Sequence, residues 1–88
     1  MFRIRWPKSV NRKLLDASAE ADAPRLTAIL TAMSEVEFAL QNEPEFVGES
    51  RDAGKRLLIV DPLFVTYKID SRRRIVKILR LRIRRSED

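Results

Sequence analysis

Residues 63–85 read LFVTYKIDSRRRIVKILRLRIRR, and this stretch decides the fold. It holds two strand-like runs, Leu63 to Ile69 and Arg74 to Arg84, with the turn-forming residues Asp70 to Arg73 between them. Apolar and polar residues alternate within each run, which is typical of strands that bury one face. Because the connection is so short, the two strands are predicted to run antiparallel.

Another strand precedes this hairpin, and one more begins the chain. The run from Leu57 to Val60 meets a turn at Asp61-Pro62, so it extends the hairpin into an antiparallel meander. Residues 2–6 alternate apolar and basic until Pro7 ends the pattern. This alternation predicts a short, half-buried strand at the start of the chain.

Two helices lie between the first strand and the meander. Apolar residues recur at helical spacing from Val10 to Ala21, and again from Leu26 to Leu40. Asp22 is placed to cap the second helix, Pro24 falls in its first turn, and Pro44 stops it. The sequence thus predicts an α+β fold in the order β-α-α-β-β-β. We expect an antiparallel sheet with the helical hairpin packed on one face, as a single domain over residues 1–88.

The composition excludes several classes of protein. The 88 residues include no cysteine and no histidine, which excludes disulfides, zinc–thiolate sites and histidine-based catalysis. We expect neither a metal nor a cofactor. No stretch approaches the roughly 20 apolar residues of a membrane span, and residues 1–7 lack the apolar core of a secretion signal. A cytoplasmic protein without a membrane partner is therefore expected.

Charge is unevenly distributed along the chain, whose net charge is +5. Nine of the thirteen acidic residues lie between Asp16 and Asp52, whereas eight basic residues and no acid lie between Arg72 and Arg85. Such a positive segment favours polyanionic partners. Cations on outward strand positions also discourage edge-to-edge pairing, so charge alone leaves both interpretations open.

Alternation along the strands predicts which side chains face away from the helices. It assigns Leu79, Leu81 and Ile83 of the last strand to the helix side. The predicted open face carries residues of the last two strands, namely Phe64, Thr66, Lys68, Arg74, Val76, Ile78, Arg80, Arg82 and Arg84. Strand residues two apart are roughly 6.5–7 Å from each other, close to the phosphate spacing of a single strand. The open face therefore suits RNA, or the carboxylates of an acidic partner.

The element order and the meander resemble the RelE/ParE family of bacterial toxins from toxin–antitoxin pairs. The family pattern is matched by LFVTYKI at residues 63–69 and by RIVKILRLRIRR at residues 74–85. A bulky residue near the end of the first strand is matched by Trp6. The similarity spans nearly the whole chain, and it implies the toxin fold described above.

The resemblance also implies functional residues. Arg84 matches a catalytic arginine after the last strand, and Lys55 matches a catalytic lysine that begins a strand. The implied surface for nucleic acid or antitoxin consists of Arg80, Arg82, Arg84, Arg85, Phe64, Lys68, Val76 and Ile78. The sequence departs from the family at Phe64, where arginine is expected, at Ile83, which can be histidine, and after Arg85, where a tyrosine is missing. Tyr67 and Trp6 are predicted to lie in the core, and Glu49 to be a solvated loop carboxylate.

Three functions follow from the resemblance. The first is a ribosome-dependent mRNA endonuclease that inhibits translation. The second is an inhibitor of DNA gyrase without catalysis, which the missing histidine and tyrosine favour. The third is a non-toxic member that only binds a partner. All three imply a cognate acidic antitoxin, and the first also implies the ribosome and mRNA as partners.

Overall fold

Residues 1–85 form two α-helices and a five-stranded sheet. The computed structural model describes residues 1–85; the missing tyrosine noted above concerns residues 86–88, which lie outside the described residues. The elements are β1 (Arg3–Arg5), α1 (Lys8–Glu20), α2 (Ala23–Asn42), β2 (Glu49–Ser50), β3 (Arg56–Val60), β4 (Leu63–Asp70) and β5 (Ile75–Ile83). The predicted α+β class and the order of the elements are confirmed. The short strand β2 is an addition that the sequence did not reveal.

The sheet is mixed, with the strand order β1-β5-β4-β3-β2. Strands β2 to β5 form the predicted antiparallel meander. Strand β1 instead runs parallel to β5 and pairs only with its first three residues, so that Arg3, Ile4 and Arg5 face Ile75, Val76 and Lys77. The rest of β5 has no strand partner on that side within residues 1–85.

The helices cover one face of the sheet. Helix α2 begins where Asp22 accepts a hydrogen bond from the Arg25 backbone amide at 2.9 Å, so the predicted cap is confirmed. Its buried side, which includes Val36 and Leu40, packs with core residues of the strands, among them Leu63, Val65, Tyr67 and Leu81. Within residues 1–85, neither helix combines the length and apolar character that crossing a membrane requires.

A β-bulge in β5 corrects the predicted faces of that strand. Thr66 pairs with Arg80, but the next residue, Tyr67, pairs with Ile78, so Leu79 is an extra residue in β5. One inserted residue exchanges the two faces for all residues on one side of it. Leu79, predicted to be buried, is therefore 42% exposed.

The same bulge overturns two predicted binding residues. Val76 and Ile78 were assigned to the open face, but they are 0% and 2% exposed and lie in the core. Their partners across the ladder are Ile69 and Tyr67, which face the helices. Neither side chain is available to an antitoxin or to RNA, because simple alternation fails at Leu79.

Candidate nucleic-acid interface

The open face of the sheet carries a basic groove on the C-terminal side of the bulge. Cross-strand pairing sets Thr66 beside Arg80 and Phe64 beside Arg82, as the sequence predicts for this half of β5. The groove has a volume of about 350 Å³. Its lining consists of Leu57, Phe64, Thr66, Arg80 and Arg82. An apolar floor between two guanidinium groups and a hydroxyl suits a ligand with both planar and anionic parts.

Arg82 and Phe64 form a stacked pair within the groove. The guanidinium carbon of Arg82 lies 4.4 Å from the centroid of the Phe64 ring, the geometry of a cation–π contact. The contact orients the guanidinium without using its hydrogen-bond donors. These donors remain available to pair with phosphate, which Arg binds through two parallel hydrogen bonds.

Glu49 lies at the far margin of the same face. Strand β2 places it directly opposite Leu57, whose side chain lines the groove. Gly48 permits this placement because its φ is +72° and a Cβ there would lie 2.6 Å from the carbonyl oxygen of Leu57. Arg51 pairs with Glu49 at 3.0 Å, and both side chains are largely exposed. The sequence predicts Glu49 to be a loop carboxylate, because a strand of two residues is too short to show alternation.

Lys55, the predicted catalytic lysine, and Lys68, a predicted binding residue, are both exposed. Lys55 stands in extended backbone directly before β3, two residues from Leu57, so alternation puts it on the groove side. Lys68 lies on the open face but beyond the bulge, where it pairs with Lys77. Neither lysine lines the groove itself.

Arg84 occupies a different place from the groove arginines. Its guanidinium holds the carboxylate of Asp61 through two hydrogen bonds, at 2.6 and 2.9 Å. These bonds, and the charges of Arg84 and Arg25, hold the pKa of Asp61 below its ordinary value. Helix α2 reinforces the site, because Arg25 donates to the carbonyl oxygen of Arg84. Arg84 thus ties the end of β5 to the β3–β4 turn, and its predicted catalytic role stays a prediction.

Arg85 is exposed beside the helices and not over the groove. It borders a cleft of about 380 Å³ that also contains Asp22, Arg25 and Ile83. Ile83, at the position that can hold histidine in the family, is half-buried and pairs with the core residue Leu63. Among residues 1–85, no cluster of three or more acidic side chains is placed to hold a metal ion.

A solved structure shares both this fold and part of this sequence. The crystal structure of the toxin–antitoxin complex RelBE2 from Mycobacterium tuberculosis contains a chain that is 30% identical to this one, with a TM-score of 0.70. The alignment covers 94% of this chain and 98% of that chain. The chain belongs to the RelE/ParE family of toxins. No family model matches its sequence, and no curated protein sequence matches it significantly.

In this RelE/ParE-family protein, Phe64 stands where the family pattern has arginine. The guanidinium of Arg82, from the neighbouring strand, lies directly over the Phe64 ring. The sequence shows the departure at Phe64, but only the pairing of β4 with β5 shows that a positive charge lies above this ring.

Proposed function

We propose that this protein is the toxin of a toxin–antitoxin pair and cleaves mRNA in the ribosome. The observation that carries the proposal is the groove in which Arg82 stacks on Phe64 beside Arg80. Two guanidinium groups match two neighbouring phosphates, and the planar Arg82 guanidinium, stacked on the Phe64 ring, is a surface on which a base can stack. Membership of the RelE/ParE family supports this assignment.

The residues around the groove provide the functions that RNA cleavage needs. The carboxylate of Glu49 accepts the proton of the ribose 2′-hydroxyl, whose oxygen attacks the adjacent phosphorus. Arg80 and Arg82 stabilise the added negative charge on the phosphate oxygens. The bond to the 5′-oxygen breaks, and Lys55 donates a proton to that leaving oxygen. The products are a 2′,3′-cyclic phosphate and a 5′-hydroxyl.

The ribosome supplies what the groove lacks in this proposal. Glu49 and Lys55 are both exposed, so neither is held in the dry environment that strengthens acid–base catalysis. Bound mRNA and ribosomal RNA would exclude water from the open face and fix the attacking hydroxyl in line with the leaving oxygen. We therefore expect cleavage of free RNA to be slow.

The proposed antitoxin covers the same face. RelBE2 is a toxin–antitoxin complex, and the exposed arginines of the groove suit an acidic, partly disordered segment that folds on binding. Carboxylates would pair with Arg80 and Arg82, and an apolar side chain would lie on Leu57 and Phe64. Antitoxin and RNA would then compete for one site, so the antitoxin would neutralise the toxin by covering its RNA-binding surface.

Inhibition of DNA gyrase without catalysis is the second candidate. It is favoured by the apolar groove floor, where Phe64 and Leu57 suit a protein partner. It is also favoured by Arg84, because the matched catalytic arginine is engaged by Asp61. A gyrase inhibitor would stop DNA synthesis and initially spare translation.

Pulse labelling after controlled expression tests the choice. Amino-acid and thymidine incorporation are followed in parallel for the wild type, for Arg80→Ala/Arg82→Ala and for the control Lys8→Ala/Arg12→Ala, which removes two exposed cations from α1. We expect amino-acid incorporation to fall first with the wild type and the control, and not with the groove variant. If thymidine incorporation falls first, gyrase is the target and catalysis is excluded.

A further inference from the structure

Three cations form a row across the open face at a distance from the groove. Arg5 of β1 pairs with Lys77 of β5, and Lys77 pairs with Lys68 of β4. Paired residues on adjacent strands have Cβ atoms about 4.5–5.5 Å apart, so these three charges are neighbours. All three side chains are exposed. The row is invisible in the sequence, because it depends on the parallel pairing of β1 with β5.

The row is unfavourable for the isolated protein. Like charges placed directly opposite each other destabilise a sheet. Within residues 1–85, no carboxylate forms an ion pair with Arg5, Lys68 or Lys77. Asp70, on the same face, pairs with Arg73. Three adjacent cations without a carboxylate partner destabilise the fold. Such an arrangement is expected where an external anion supplies the negative charge.

The row borders a notch in the edge of the sheet. The notch opens where β1 stops and β5 continues, and it has a volume of about 340 Å³. Its lining consists of Arg5, Trp6, Pro7, Lys77, Ile78 and Leu79. An indole, a proline ring and the exposed bulge residue form apolar walls, and two cations stand at the rim. A nucleobase fits against such walls while its phosphate pairs with Arg5 and Lys77 at the rim.

We propose that this row and notch form a second RNA subsite, which binds the same single strand as the groove. The inference rests on the proposed function. Arg80 and Arg82 continue along β5 from Lys77 on the same open face, because the bulge at Leu79 returns them to that side. RNA would run along β5, with one base on the Arg82–Phe64 stack and a later base in the notch against Trp6.

A single strand fits this surface better than a duplex. The bases of single-stranded RNA are free to leave the stack and enter a pocket, whereas those of a duplex are held inside the helix. The notch lies at an edge of the sheet, and Arg80 and Arg82 follow β5 at about the spacing of successive phosphates. Stacking on aromatic side chains is tolerant of sequence, so we expect no strong base preference here.

Trp6 makes the notch directly observable, because it is the one tryptophan of the chain. The experiment uses the full-length protein and a fluorescein-labelled hexauridylate. Anisotropy gives the affinity as salt is varied, and unlabelled hexauridylate is used to follow Trp6 fluorescence. We compare the wild type with Arg5→Gln/Lys77→Gln and with the control Lys8→Gln/Arg12→Gln, which has the same net charge but leaves the row intact.

The expected result has two parts. Hexauridylate quenches Trp6 in the wild type and the control, and a trinucleotide quenches it less. In Arg5→Gln/Lys77→Gln the quenching is lost, and the slope of log K against log salt falls by about 1.4, or about 0.7 for each phosphate contact removed. Lys77→Gln alone also raises the thermal midpoint, because it relieves the repulsion, whereas Arg12→Gln does not. That stability readout does not depend on RNA and shows that the variant is folded.

Two results would overturn the inference, and they separate it from the proposed function. If the wild type binds hexauridylate with no change in Trp6 fluorescence and the row variant binds equally well, the RNA path excludes the notch. Cleavage at the groove then stands unaffected. If neither the wild type nor any variant binds hexauridylate, the second subsite fails, whereas the proposed function is decided separately by cleavage of mRNA on the ribosome.

Discussion

The hydroxyl of Tyr67 shows how a single buried residue positions the groove margin. It lies 2.9 Å from the carbonyl oxygen of Pro44 and 3.0 Å from that of Val47, and the side chain is 0% exposed. Arg56 holds the same segment through the carbonyl oxygens of Val47 and Gly48. These bonds fix the segment that leads to Glu49. The buried Tyr67 therefore helps to position the proposed general base, Glu49.

Tyr67→Phe should destabilise the fold by about 1–3 kcal/mol, because the buried carbonyl of Pro44 loses its donor, whereas that of Val47 keeps Arg56. Burial raises the pKa of Tyr67, and the nearby Arg56 opposes this only in part. The unfolded chain therefore ionises first, so the contribution of Tyr67 to stability is complete below pH about 10 and declines as pH rises through the folded-state pKa. Urea unfolding from pH 8 to 11 should show a steeper alkaline loss for the wild type. Equal alkaline slopes in both proteins would contradict this assignment.

Asp61 makes stability depend on acid pH, whereas Tyr67 makes it depend on alkaline pH. Its hydrogen bonds with Arg84 lower its pKa, so the pair stabilises the fold above the ordinary carboxyl pKa and the effect is lost as pH falls through the lowered value. Arg84→Gln should move the pKa of Asp61 upwards, which an NMR titration of its carboxyl carbon measures. RNA affinity should stay nearly constant in this variant. A large loss of affinity with an unchanged Asp61 pKa would restore the predicted role of Arg84 at the site.

Strand β5 shows where sequence reasoning at the scale of an element succeeds and fails. From the bulge onwards, Arg80, Arg82 and Leu81 lie on the predicted faces, and in β4 Tyr67 and Phe64 do so as well. Before the bulge, Val76 and Ile78 are buried and Lys77 is exposed, which reverses the prediction for these three residues. The adjacent apolar residues Ile78 and Leu79 interrupt the alternation at the bulge, and Lys77 falls on the predicted buried face, but no glycine marks the extra residue.

The bulge predicts unequal costs for two adjacent apolar residues. Ile78→Ala should destabilise by about 2–5 kcal/mol because it leaves a cavity in the core. Leu79→Ala should cost about 1 kcal/mol or less, since the side chain is partly in solvent and its neighbours adjust freely. Chemical denaturation of the two variants measures the difference. Simple alternation predicts the reverse order, so a larger loss for Leu79→Ala would exclude the bulge.

Two further features could not be predicted from the sequence, because β2 is very short and because the pairing partner of β1 is distant in the chain. Strand β2 has two residues, too few for any period, and it brings Glu49 to the groove. Strand β1 was recognised from its alternation, but its partner is separated from it by about 70 positions in the chain. Helical caps and turns are local and were predicted; strand pairing is not local. For this reason the sequence predicts that Phe64, Arg80 and Arg82 share one face, but it does not predict the row of Arg5, Lys77 and Lys68.

At the scale of the whole molecule, charge and topology separate two surfaces. The acidic residues concentrate between positions 16 and 52, in the helices and the segment after them, whereas most cations of β5 face the open side of the sheet. A polyanion approaching the protein is therefore steered to the open face. We expect the association rate with RNA to fall steeply as salt is added, which stopped-flow anisotropy measures. A rate that does not depend on salt would mean that the open face does not guide binding.

The measurement that tests the central claim most directly is the mapping of mRNA ends on programmed ribosomes. The purified protein is added to a defined ribosome–mRNA complex, and new 5′ ends are located by primer extension. We predict cleavage of the ribosome-bound mRNA by the wild type, retention of cleavage by Lys8→Ala/Arg12→Ala, and its loss in Arg80→Ala/Arg82→Ala with the fold intact. Undiminished cleavage by the folded groove variant, or intact mRNA with the wild type, would contradict the claim.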